Sequence, residues 1–258
     1  MTPVNHHFFM HIPKTAGTTL RGILESRFDP ERTLPSLAQM KNDFGGHYPP
    51  IPQLLAMDDQ HWESAQLLRG HYPWQVMKRF SRKPVMLTML REPVARSLSH
   101  LRHVKRNARW AVDLSLEQIA DRKAFLVANV GNIQTRMLTM RFAMDDPSSF
   151  PKDVNQPFAI DDVAFKRAIV TLRSFDFVGI QEHFEASMAQ MFHMFGWDMP
   201  ESFVRANTSE SMEQPLSTEL LARLTEINDL DLILYREALE LFHGRQAQRL
   251  ESAGESAD

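Results

Sequence analysis

The chain has 258 residues, a formal net charge of −3, 43% hydrophobic residues and no cysteine. That length suits one large domain with a sizeable core, and the lack of cysteine excludes disulfides, thiolate metal sites and a cysteine nucleophile. No run reaches the roughly 20 apolar residues of a membrane span and no basic-then-apolar leader opens the chain, so a soluble cytoplasmic protein without a membrane span is expected.

Residues 4 to 12, VNHHFFMHI, read as a short strand that stops at Pro13. Leu20, Ile23, Leu24 and Phe28 recur at helical spacing, so 16 to 27 reads as a helix. The stretch between them, HIPKTAGTT, therefore sits where a strand turns into a helix. Residues 29 to 53, rich in Pro, Gly and Asp, read as loop with short helical pieces. SAQLLRG, 64 to 70, is a second strand. PVMLTMLR, 84 to 91, is the strongest strand, a continuous apolar run between a proline and REP. Pro93 suits the first turn of the next helix, whose buried stripe is Val94, Leu98 and Leu101. Helical patterns follow at 115 to 141 and 160 to 173. FDFVGI, 175 to 180, is the last strand and HFEASMAQMFHMF the helix after it. Residues 198 to 215 read as loop and 217 to 243 as a closing helix. The polar tail 245 to 258 is expected to fray. Strands alternating with helices predict an α/β fold, a mostly parallel sheet flanked by helices. It occupies residues 1 to 244, with a helical lobe over about 107 to 160.

Charge is unevenly placed. From Lys78 to Arg109 there are ten Lys/Arg and one acidic residue, Glu92, while the rest of the chain holds 19 basic and 31 acidic residues. A positive band in an acidic chain suits an anionic ligand, and a solvated helix face explains it equally well.

A helix N-terminus offers unpaired backbone N–H groups and partial positive charge to phosphate oxygens. In HIPKTAGTTL, Gly17 would let backbone approach a ligand, and Thr15, Thr18 and Thr19 offer hydroxyls. Lys14 precedes the glycine. In Walker loops the lysine follows the glycines and the next hydroxyl holds magnesium. The order here suits a lysine bridging two anionic centres, or a plain strand–turn–helix junction. In the second motif, LREPVARSLSH, Arg91 closes the buried strand and Ser99 lies eight residues on. An arginine at the carboxyl end of a strand faces the crevice where open α/β sheets bind ligands, and with a hydroxyl it could clamp a second phosphate.

Together these motifs resemble the PAPS-dependent sulfotransferases, most of all the group with the carbohydrate 2-O-sulfotransferases and their bacterial relatives. HIPKTAGTTL is similar to the family's 5′-phosphosulfate loop, and LREPVARSLSH to its 3′-phosphate motif. RGHYPW (69 to 74), NIQTRML (132 to 138) and FVGIQEHFEASM (177 to 188) are weaker echoes, and the resemblance spans roughly residues 5 to 195. It implies a P-loop-like sheet and 3′-phosphoadenosine 5′-phosphosulfate (PAPS) as co-substrate without a metal. The acceptor it implies carries a hydroxyl, on a carbohydrate by analogy. The implied cofactor-binding residues are Lys14, Thr15, Ala16, Gly17, Thr18, Thr19, Arg91 and Ser99.

The catalytic residues expected are Lys14, stabilising charge on the departing oxygen, and His71 as general base. His71 occupies the family's catalytic-histidine position in the GH segment. The second histidine that the family carries two residues earlier is Arg69 here. His47, in a similar HYP setting, competes for the role of base, and a carboxylate is a further alternative. His6, His7 and His11 cluster without a carboxylate at ligand spacing, so no metal is expected. Asn132, Gln134 and Arg136 could line a pocket or coat a helix. Trp62, Trp74 and Trp110 would suit a sugar-like or anionic acceptor, or a core. Met188, Met191 and Met194 fit a core. Two other classes compete: a P-loop kinase, which should carry a lysine after the loop glycine and an acidic magnesium ligand at a strand end, and a non-enzymatic polyanion-binding module. Nucleic acid is not expected of a net acidic chain. Acceptor identity and oligomeric state are not written in these motifs.

Overall fold

The computed structural model describes residues 5–203 and 216–255. The four strands predicted from apolar runs are β1 (His7–Met10), β3 (Leu67–Gly70), β4 (Val85–Leu90) and β5 (Phe177–Ile180), and a two-residue strand, β2 (Thr33–Leu34), adds an edge. All pairings are parallel, in the order β2-β3-β1-β4-β5. Strand residues alternate between two cores. Phe8, Met10, Leu68, Met86 and Val178 face one side, and Phe9, Leu67, Leu87, Met89 and Phe177 the other. A parallel sheet covered on both faces gives such continuous apolar runs, and each fully buried Phe, Leu or Met contributes about 1.5–3 kcal/mol.

The helices are α1 (Gly17–Glu25), α2 (Leu37–Asp43), α3 (Ile51–Leu55), α4 (Asp59–Ser64), α5 (Pro93–Asn107), α6 (Leu116–Ala120), α7 (Lys123–Asn129), α8 (Ile133–Thr139), α9 (Asp162–Arg173), α10 (Phe184–Phe195), α11 (Thr218–Glu226) and α12 (Asp229–Glu255). Pro93 does open α5, and Glu92 caps it by accepting from the Val94 and Ala95 amides. Segments α6 and α7 share a small core of their own with α5 and α11, built on Leu101, Ile119, Leu126 and Leu224.

Three sequence expectations change. The closing helix is two helices, because Asn228 turns inward to bond the Ser97 hydroxyl and the Leu224 carbonyl. The polar tail from 245 continues α12 to Glu255, and Arg245 donates to the Phe175 carbonyl. Met194 lies outside the core, while Met188 and Met191 are fully buried. The loop read at 198 to 215 lies outside the described residues from 204 onward, as do Val4 and residues 256 to 258.

β1 is the switch point of the sheet: the chain runs from it to β2 and β3 on one side, then to β4 and β5 on the other. Ligands bind at the carboxyl ends of strands at such a point. The loop after β1 carries Lys14, the residue after β3 is His71, and the residue after β4 is Arg91.

Candidate active site

The loop from Ile12 to Gly17 is built by local bonds and by left-handed backbone. Thr15 is fully buried, and its hydroxyl donates to the Ile12 carbonyl at 2.9 Å. It therefore shapes the loop and does not present a hydroxyl to a ligand. Lys14 and Ala16 have φ of +72° and +59°, a conformation non-glycine residues adopt at some cost. Left-handed residues in such a turn gather backbone N–H groups into a concavity that holds anions. Ala16 is the N-cap of α1 and makes no side-chain cap hydrogen bond, and Gly17 is the first residue of the helix. Thr18 is exposed and Thr19 half-buried on the first turn.

The second motif grips this loop directly. Arg91 Nη1 donates to the Lys14 carbonyl at 3.3 Å. One turn into α5, Arg96 donates through Nε to the Pro13 carbonyl at 3.1 Å and through its other nitrogens to the carbonyls of Asn129 and Val130. Part of the positive band is thus spent on backbone carbonyls. Ser99 is half-buried further along α5. The Arg91 backbone is itself pinned on both sides by Gln134, whose side-chain amide accepts from its N–H at 3.1 Å and donates to its carbonyl at 3.0 Å. Glu182 lies 4.0 Å from Arg91 Nε and accepts from the Glu92 amide.

His71 enters from β3. Its Nδ1 lies 2.7 Å from the His11 carbonyl. A carbonyl only accepts, so Nδ1 carries the proton and the neutral ring keeps its lone pair on Nε2. The His11 ring packs against it with centroids 4.4 Å apart, and Tyr48 stands edge-on at 5.3 Å. Burial first, then the charges of Lys14 and Arg21, hold His71 below the usual histidine range. Lys14 is pushed down to about 8 by burial and by Arg106, Arg96 and Arg91. A neutral imidazole and a lysine of lowered pKa lie just past the carboxyl ends of the paired strands β3 and β1, and perturbed groups in such places mark functional sites.

The chain is similar to heparan-sulfate sulfotransferases. Heparan-sulfate 6-O-sulfotransferase 1-B of Danio rerio is 27% identical over 191 residues, covering 64% of this chain and 45% of the relative. Heparan-sulfate 6-O-sulfotransferase 2 of Danio rerio is 27% identical over 199 residues, covering 67% and 42%. Heparan-sulfate 6-O-sulfotransferase 1 of Homo sapiens is 26% identical over 194 residues, covering 65% and 45%. The chain is a relative of the sulfotransferases. These relatives carry 6-O names where the motifs pointed to the 2-O group. The chain spans less than half the length of each of them, and no family model matches it.

In this sulfotransferase relative Gly17 has a role the sequence did not show. A Cβ there would stand 1.9 Å from His11 Cδ2 and 2.0 Å from Nε2. The His11 ring is buried between Phe9 and His71 and cannot swing away. Gly17→Ala is therefore expected to lose about 1–3 kcal/mol of stability through overpacking, read as a lower Tm, and to displace His71 with the loop. An unchanged Tm would show that the ring moves aside freely.

Other predicted residues have structural employment. Arg69, fully buried, is bonded to Glu25 on α1 and to the Pro35 carbonyl. Asn132 and Gln134 bond Asp229 and the Arg91 backbone, and Arg136 donates to the Ala128 and Asn155 carbonyls, so all three brace α8 and do not line a pocket through those groups. Asp231 accepts from the Gln134 and Thr135 amides at the start of α8. His6 and His7 bond the Ala65 and Gln66 carbonyls, apart from the site that His11 joins. His47 is exposed while its neighbour Tyr48 faces His71. Trp62 belongs to the core. Trp74 is flanked by Lys78 and Arg141, and Trp110, 40% exposed, lies under Arg122 at 4.1 Å.

Residues that sequence reasoning missed are His11, Arg21, Tyr48 and Arg96. By sequence His11 reads as one of a histidine cluster, although its place in HIPKTAG puts it beside the loop. Tyr48 lies in a loop 23 residues from His71 and left no local signal.

Proposed function

We propose that the chain is a sulfotransferase that moves the sulfuryl group of PAPS to a carbohydrate hydroxyl. The observation that carries this reading is the bond between Arg91 and the Lys14 carbonyl, which brings the loop and the second motif within reach of one small anionic ligand. The donor set fits a nucleotide with phosphates at both ends. Loop amides, Lys14, Thr18 and Thr19 serve one end, and Arg91 and Ser99 serve the other. The names of the relatives support a carbohydrate acceptor.

In this mechanism His71 Nε2 takes the proton of the acceptor hydroxyl as its oxygen bonds to sulfur. Lys14 and the loop amides stabilise the charge that collects on the departing phosphate oxygen as its bond to sulfur breaks. Arg91 and Ser99 orient the nucleotide, and the Gln134 clamp keeps the Arg91 backbone still. PAPS supplies the sulfuryl group and 3′,5′-adenosine bisphosphate (PAP) leaves.

PAP should raise the Tm in a concentration-dependent way. At one hundred times its Kd the gain is about 2.7 kcal/mol, or roughly 5–10 °C for a domain of this size. ATP with magnesium should not match it. The opposite ranking would favour a kinase, and no response to either ligand would favour a polyanion-binding module.

A further inference from the structure

We infer that His100 is a ligand-contacting residue that donates a hydrogen bond to an oxygen of the sulfuryl group held between Lys14 and His71. The inference rests on the sulfuryl-transfer reading above. His100 follows Arg96 by four residues on α5, and residues four apart share a helix face. Arg96 reaches the Pro13 carbonyl, so this face lies against the phosphate loop. The His100 ring stacks on Phe125, centroids 6.0 Å apart and planes inclined by 22°. Both of its nitrogens are shielded from solvent, and neither has a hydrogen-bond partner among the described residues.

Buried polar atoms are nearly always paired, and an orphan calls for an explanation. His6 shows the ordinary solution for a buried histidine here, a 2.7 Å contact to the Ala65 carbonyl. His100 has two orphan nitrogens on the helix face that lies against the loop, and the ligand expected there is rich in acceptor oxygens. Burial, then Arg96 and Lys14, then His103 and His71, hold it neutral at about 3. It therefore carries one N–H and one lone pair at any working pH. In an in-line transfer the departing oxygen lies at Lys14 and the incoming oxygen at His71. The Arg96 bond to the Pro13 carbonyl sets this helix face against the residue before Lys14, so a ring one turn along it adjoins the group that Lys14 holds. A neutral donor there complements Lys14 without adding another charge to a crowded cationic site.

PAP lacks the sulfuryl group and PAPS carries it, so the two nucleotides isolate the contact without knowledge of the acceptor. Titration calorimetry of the full chain is expected to give His100→Phe a PAPS affinity about tenfold weaker, while PAP affinity changes less than about twofold. His100→Asn keeps an N–H donor and should recover part of the loss. His100→Leu stands in if the Phe variant does not fold. If every folded variant keeps the wild-type ratio of PAP to PAPS affinity, the assignment is overturned. Loss of both affinities in equal measure would also overturn it, marking His100 as a packing residue. Wild-type protein that binds neither nucleotide would overturn the sulfuryl-transfer reading itself, and this inference with it.

Discussion

His71→Ala is expected to lower kcat for sulfuryl transfer by about 10²–10⁴-fold, the range for a positioned general base, with PAP binding nearly unchanged. The reason is orientation as much as basicity. The His11 carbonyl fixes the proton on Nδ1, so Nε2 is the free lone pair, and Tyr48 and His11 hold the ring plane. Burial and the nearby cations keep His71 below the usual histidine range. The base form therefore persists on acidification, and kcat/KM should decline only as pH drops below about 6.5, the ordinary value. Steady-state rates of PAP release with saturating carbohydrate acceptor read the effect. Near-wild-type turnover by the alanine enzyme would take His71 out of the role of base and turn attention to a carboxylate.

Lys14→Ala is expected to cost about 10²–10³-fold in kcat, the usual loss when one preorganised donor to a developing oxyanion is removed, and to raise KM for PAPS. The remaining loop amides should keep the residual rate above background. Lys14 acts as a cation, and its pKa in the free protein is lowered to about 8. Protonation is lost as pH rises through that value, so kcat/KM should fall on the alkaline side near pH 8. Lys14→Arg keeps the charge at all working pH values. It should lose activity from altered geometry yet push the alkaline limb upward. If that limb stays in place in the arginine enzyme, another group sets it. Together the two residues predict a bell, the expected form when a neutral base and a cationic partner are both required.

The relation between the two motifs explains why both effects should be large. Arg91, between β4 and α5, and Arg96, on α5, bond the carbonyls of Lys14 and Pro13. The loop after β1 is therefore held by the strand–helix junction and the helix that carries Ser99 and His100. Strained backbone at Lys14 and Ala16 persists because these bonds and the Thr15 hydroxyl over-determine it. A substitution in the loop is felt by His71, since His11 packs on both Gly17 and His71.

The sequence alone determined the α/β class, four of the five strands, the strand-to-helix placement of Lys14 and the position of Arg91 at the end of β4. Those features are local: apolar runs, a proline at a helix start and a loop order are written within about ten residues. The two-residue β2 edge was invisible because two residues carry no periodicity. Only the tertiary structure decided which polar residues brace other elements. Arg69, Asn132 and Gln134 read as site residues or departures, yet their partners at Glu25, Asp229 and the Arg91 backbone lie 43 to 97 residues away. His11 and Tyr48 meet His71 by the same long-range packing. Hydrogen-bond partners across such separations are chosen by how strands and helices stack, and no local pattern of residues encodes that choice.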